Sequence, residues 1–363
     1  MSLPETPATT PSLDPSAVPA PVSAPPLTAP QRLYVGSYTA TSGGRGAGIT
    51  VLERAAPGSP WQAAQVVEAD DPSFLALADG ALHAASETAE GRVLSYTVSA
   101  GVLVAASSAS SGGSSPCHLT VDPVSGALVV ANYVGGSVGV LADDASHPSR
   151  VTRTVGLPVG HGPVLDRQER PHAHQAIPTP WGSVLVSDLG TDRLIEFVID
   201  PITLDPEQVA VHPLPSGSGP RHLDWLGDRL VVVGELDARL HVLRRVGEKL
   251  VVDHSVEVFE GASSTPGVLP SHLAVDAGRV YVAIRGRDTI SVFAGAGERL
   301  EFVGEAPCGG EWPRHFAITP GVLYCANQAS DTISVLPLDP ETGLPGAPLD
   351  VFSIGSPACI VAG

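Results

Sequence analysis

A chain of 363 residues with 43% hydrophobic content can bury one large core or two ordinary ones. Its formal charge of −18 argues against nucleic-acid binding, since a phosphate backbone would be repelled except at a local basic patch. No apolar run approaches the ~20 residues of a membrane span, and 39 glycines with 35 prolines favour short elements and tight turns over long helices.

Residues 1–30 hold nine prolines and no Lys or Arg. A secretory signal needs a basic start and an apolar stretch of about 7–15 residues, so this segment reads as a disordered, partly polyproline tail. A single domain, residues 31–363, is expected to follow. Its first strand is RLYVGSYT from Arg32. The loop SGGRGAG, Ser42 to Gly48, resembles a phosphate loop only loosely; lacking a Lys and a following helix, it fits a flexible hairpin carrying Arg45. PSFLAL from Pro72 and LHAASE from Leu82 come next, and this pair of patterns then returns along the chain. PCHLTV from Pro116 precedes LVVANY from Leu128, and HAHQAI from His172 precedes VLVSDL from Val184. PRHLDW from Pro220 precedes LVVVGE from Leu230, PSHLAV from Pro270 precedes VYVAIR from Val280, and PRHFAI from Pro313 precedes LYCANQ from Leu323. PACIVA from Pro357 ends the series without a partner. GGSVG, Gly135 to Gly139, matches a nucleophile-elbow pattern, but a strand follows it where a helix is needed, so Ser137 reads as a hairpin residue.

The first pattern thus occurs at intervals of 43 to 56 residues. Short β-branched runs joined by turns at this period, with no helical segment, predict four-stranded blades of an all-β, seven-bladed β-propeller. The domain begins on a second strand and ends on a lone first strand. The C-terminal strand should therefore pair with the N-terminal blade and remove two open sheet edges.

In such a ring the first strand of each blade lines the channel, and it begins on the face where the second strand ends. The third position of each first strand gives Phe74, His118, His174, His222, His272, His315 and Cys359, five histidines in one register. Arg221 and Arg314 precede two of them. The ends of the second strands add Tyr38, Glu87, Tyr133, Leu189, Glu235, Arg285 and Gln328. The stretch RQERPHAHQ contributes Arg167 and His172 beside His174. A repeated histidine also serves to bond a neighbouring turn, and that reading is preferred for His118, His272 and His315; both readings stay open for His174 and His222.

A Glu and a His on a partly desolvated rim can share acid/base work. Two arginines facing them can hold a carboxylate or phosphate, or stabilise an oxyanion. The set suits water attack on an ester or lactone carbonyl. A transition metal on the imidazoles is the alternative, but no HxxxH or Cys pairing supports it, so neither metal nor cofactor is expected. Cys117, Cys308, Cys325 and Cys359 form no CxxC pair and read as free thiols of a reducing, cytoplasmic setting. Neither Asn132 nor Asn327 starts a glycosylation acceptor.

YVGSYT, CHLTVDPVSGALVVANYVGGSVGVL, RQERPHAHQ, SDLGTDRL, GSGPRHL, GEL and RGRDTISVF resemble the seven-bladed lactonase family, across nearly all of residues 31–363. That family includes cycloisomerase-type 6-phosphogluconolactonases and carboxy-muconate lactonizing enzymes. The resemblance implies a carboxylic-ester hydrolase acting on a sugar-acid lactone, 6-phosphogluconolactone of the pentose phosphate pathway first. A lactonizing cycloisomerase, a hydrolase of another lactone and a non-catalytic binding propeller are the alternatives. By motif it implies catalytic roles for His174, Arg221, Glu235 and Arg285. His172, His222, Arg314 and Arg167, which the same stretches place beside them, are expected to bind substrate. Where the family reads Asn-Glu-Leu and Asn-Arg-Gly, this chain has Gly234 and Ile284 before the Glu and the Arg. The implied partner is a small anionic lactone, with no membrane or nucleic acid.

Overall fold

The computed structural model describes residues 32–56, 58–142, 151–296 and 299–363. The proline-rich tail predicted for residues 1–30 lies outside the described residues. Seven antiparallel four-stranded sheets are arranged as blades around a channel. Blade I joins Arg32–Ser37, Gly48–Glu53 and Gln62–Glu68 to the C-terminal strand Pro357–Ala362. Blades II to VII follow in chain order and span residues 72–110, 116–156, 173–213, 220–257, 269–307 and 313–353. The seven-bladed architecture and its closure by the last strand are as the repeats predict. Among the described residues no helix is long and apolar enough to cross a membrane.

Alternation explains how the blades stack. Successive side chains of a strand point to opposite faces, and here each face meets a different neighbouring blade. Leu33 and Val35 of blade I pack with Tyr324 and Ile333 of blade VII. Tyr34, between them, packs with Leu75 and Leu82 of blade II. Both faces of the second strands are therefore buried, which is why Leu128–Asn132 reads as a continuous apolar run. Seven apolar clusters result, each filling the gap between two adjacent blades.

Each inner strand carries an irregularity at its start. Pro116 and His118 pair with Asn132 and Ala131, skipping Cys117; Pro313 and His315 skip Arg314; Ala173 and Gln175 skip His174. In blade V the residues Arg221 and His222 together face the single gap left by Val233. An unpaired residue in a bulge is re-aimed out of the regular alternation. The bulge is what lets one strand send a histidine into the channel and an arginine to its mouth.

Candidate functional site

The channel itself is closed by rings. Phe74, His118, His174, His222, His272 and His315 pack mostly edge to face, with centroid separations from 3.9 Å (the stacked pair His272–His315) to 6.3 Å (Phe74–His222). All are in the register that the repeats place together. His118 and His315 accept backbone N–H groups of Ala176 and Ile360 from the next blade, at 3.5 and 3.3 Å, which is the packing role expected of them. His222 Nδ1 lies 2.8 Å from His272 Nδ1, so one ring donates and the other accepts. His222 is thus committed inside the channel rather than at its mouth.

Burial presses these five imidazoles below the ordinary histidine value, His118 and His315 to about 3; the Arg221 guanidinium adds to it in all five, and neighbouring imidazoles add to it for His118, His222 and His272. This has a consequence for stability. Above pH 6.5 the rings are neutral in both folded and unfolded chains, and nothing changes. Below it the unfolded chain takes protons that the folded ring refuses, so stability falls with pH from about 6.5 downward, and for His118 and His315 on toward about 3. Each imidazole costs roughly 1 kcal/mol between pH 6.5 and 5.5. The melting temperature should drop steeply over that interval, and His118→Gln with His315→Gln should flatten the drop. A melting temperature level from pH 7 to 5 would refute the neutral ring.

Above the ring sits a cluster of charges. Glu235, at the end of the second strand of blade V, is buried. Its Oε2 lies 2.9 Å from Arg221 Nε and 2.9 Å from Arg285 Nη2, while Arg167 Nη2 donates to Oε1. Burial alone would raise the Glu235 carboxyl, but Arg285, Arg221 and Arg167 outweigh it and hold it far below the usual range. The arginines are fixed from behind: Arg221 Nη1 donates to Ser271 O, and Arg285 Nε donates to Leu269 O at 3.1 Å. Arg221 Nε approaches Oε2 closely but off line, so the contact is an ion pair and the N–H is a buried donor without an aligned acceptor. Arg167 differs from the other two. Its side chain is 32% exposed, against 3% for Arg221 and 8% for Arg285.

Arg167 arrives on the long connector between blades III and IV, the source of the 56-residue repeat interval. Gln168 anchors it, donating to Leu189 O at 2.8 Å and to Asp192 Oδ1 at 2.7 Å. His172 stacks on Tyr133 at 4.5 Å, with Nδ1 at Tyr133 O and Nε2 at Glu169, so both ring nitrogens are occupied. His174 is buried with Nδ1 3.9 Å from Cys117 Sγ, and its pKa is pressed well down by burial and then Arg221, against a smaller opposing pull from Glu235.

A second group completes the rim. Tyr38 Oη donates to Glu87 Oε2 at 2.6 Å and accepts from Arg314, whose guanidinium lies 4.7 Å over the Tyr38 ring and 3.8 Å from Glu87. The loop expected as a hairpin does join the paired strands Arg32–Ser37 and Gly48–Glu53, and it lies against this group. A side chain at Gly44 would put its Cβ 2.4 Å from Tyr38 O, and only glycine allows that approach. Arg45 pairs with Asp331 at the edge of a cleft of ≈ 420 Å³ that Tyr38, Trp312, Arg314 and Gln328 also line.

The mouth therefore unites His174, Arg221, Glu235, Arg285, Arg167 and Arg314. It leaves His222 below and turns His172 into a wall. Trp312 escapes the repeat reading, although aligning the residues before the inner-strand prolines would have exposed it. The four cysteines are buried and unpaired, and among the described residues no three His, Cys, Asp or Glu groups converge as metal ligands.

The chain matches the family model described as "Lactonase, 7-bladed beta-propeller" over residues 32–362. A 6-phosphogluconolactonase of Bacillus subtilis is 33% identical over 192 residues, 50% of this chain and 53% of that protein. The chain thus spans about half the length of the curated relatives it matches. The periplasmic gluconolactonase of Pseudomonas aeruginosa is 27% identical with a TM-score of 0.81, over 91% of this chain and 98% of that one. A Lactobacillus plantarum protein, 23% identical, shares the fold with a TM-score of 0.84 over 92% and 99%.

Proposed function

Because this chain belongs to the seven-bladed β-propeller lactonase family, we propose that it hydrolyses the lactone of a sugar acid, with 6-phosphogluconolactone of cytoplasmic pentose phosphate metabolism as the substrate. One observation carries this reading. A chain of net charge −18 gathers Arg167, Arg221, Arg285 and Arg314 at one mouth, against Glu87 and Glu235. Such a local positive focus recruits an anion that the rest of the surface repels.

Arg314 holds the anionic group of the substrate. Arg221 and Arg285 face the carbonyl oxygen and stabilise the oxyanion as it forms. His174, neutral at pH 7, takes a proton through Nε2 from water as the water oxygen bonds the carbonyl carbon. It returns that proton to the ring oxygen as the C–O bond breaks. Glu235 is assigned a different task from the proton work expected of it. Three guanidiniums occupy both oxygens of its carboxylate, and in return it keeps two of them, Arg221 and Arg285, in position.

The test is hydrolysis of a lactone pair, 6-phosphogluconolactone and glucono-δ-lactone. The phosphorylated substrate should have the higher kcat/KM, and Arg314→Gln should raise its KM about 10- to 100-fold, the worth of a charge-assisted hydrogen bond. Turnover of neither lactone would overturn the proposal.

A further inference from the structure

The residue before the inner-strand proline has a left-handed backbone in five blades: Asp71 (φ 42°), Ser115 (54°), Gly219 (57°), Trp312 (60°) and Ser356 (39°). Four of these are the small or short polar residues that tolerate such a conformation. The fifth is a tryptophan, for which a positive φ is strained. The surroundings enforce it. Trp312 N donates to Asp288 Oδ1 at 2.8 Å, and Trp312 O accepts from Gln328 N at 3.1 Å. Strain of this kind persists where the surroundings over-determine it, and it clusters at functional sites.

The side chain lines the ≈ 420 Å³ cleft beside the Arg–Glu cluster. The Arg285 guanidinium carbon lies 5.5 Å from the ring centroid, which joins the cleft to the cluster. Arg314 lines the same cleft, and so does Gln328, whose Oε1 is a buried acceptor with no partner among the described residues. The three groups complement one kind of molecule. A sugar-lactone ring has an apolar C–H face, hydroxyl donors around its edge and, where it is phosphorylated, an anionic substituent.

We propose that Trp312 is the floor of a sugar subsite, stacking on the C–H face of a pyranose-type lactone while Gln328 Oε1 accepts from a ring hydroxyl. Trp312 is then a specificity residue that separates hydroxylated lactones from plain ones. The substrate class rests on the lactonase reading above.

The experiment compares Trp312→Gly, Trp312→Ala and Trp312→Phe on glucono-δ-lactone and on δ-valerolactone, which has no hydroxyls, and measures binding of methyl β-D-glucopyranoside, a stable pyranose ring, by calorimetry. Trp312→Gly, which suits the left-handed backbone, should melt above Trp312→Ala. It should nevertheless raise KM for glucono-δ-lactone about tenfold with little change in kcat. The δ-valerolactone KM should move less than about twofold, and Trp312→Phe should restore most of the loss, because a smaller ring still stacks. If Trp312 only props Arg285, kcat falls alike on both lactones, and the subsite is refuted. If the parent protein hydrolyses neither of these lactones nor 6-phosphogluconolactone, the proposed function fails by itself. Binding of methyl β-D-glucopyranoside that is lost in Trp312→Gly would then still support the subsite, and no binding to the parent would overturn it.

Discussion

Removing residues 356–363 should leave no cooperatively folding protein. That segment contains the inner strand of blade I, which pairs with Arg32–Ser37 from Leu33↔Ala362 to Ser37↔Pro357. Cys359 and Ile360 are buried in the clusters that join blade I to blades II and VII, so the strand seals two interfaces as well as one sheet. Its loss withdraws the buried Ile360, worth roughly 1.5–3 kcal/mol, together with Ala358, Cys359 and a whole ladder of strand hydrogen bonds, from a total stability of about 5–15 kcal/mol. It also uncovers the backbone donors and acceptors of Arg32–Ser37, an open edge prone to aggregation. Circular dichroism during heating should show no sharp transition in the truncated chain. A truncated protein that melts like the full chain would show that the ring closes some other way.

Glu235→Gln is expected to lose activity and stability together. The amide keeps the shape of the carboxylate but strips the only acid within 4 Å of Arg221 and Arg285 among the described residues. Those two cations stay buried and now repel one another. Breaking a buried pair by removing one partner costs about 3–5 kcal/mol. With the guanidiniums no longer aimed at the oxyanion, kcat should drop about 10²–10³-fold, the cost of losing a placed oxyanion donor. Glu235→Asp should stay close to the parent in melting temperature because the charge remains, while losing part of kcat because the carboxylate is drawn back. Full turnover in Glu235→Gln would remove Glu235 from the mechanism, and a parent-like melting temperature would refute the counter-ion role.

The two effects separate by what they touch. The strand deletion acts on the ring as a whole, whereas Glu235→Gln acts on one buried cluster and leaves the channel histidines in place. Heating curves of the two variants should therefore differ in kind: no transition in the first, a sharp but earlier transition in the second.

Repetition by itself determined the architecture. Each blade is an almost autonomous pattern of alternating side chains, so seven occurrences of Pro-x-His-like starts and apolar second strands specify blade number, closure and the register of Phe74 through Cys359. The gathering of Arg221, Glu235, Arg285 and His174 at one mouth follows from that same register. Tertiary structure decided what those residues do there. The carboxylate of Glu235 meets three guanidiniums because the connector before His172, anchored by Gln168, brings Arg167 back over the mouth, and connector paths leave no periodic trace. His222 turns into the channel, and Arg221 away from it, because a bulge sets two residues against one, a shift that alternation in the sequence does not display. Trp312 acquires its meaning only from a backbone angle shared with Asp71, Ser115, Gly219 and Ser356. Local patterns encode which face a side chain takes; the partners that set its charge state lie on other blades, and only the closed ring brings them within reach.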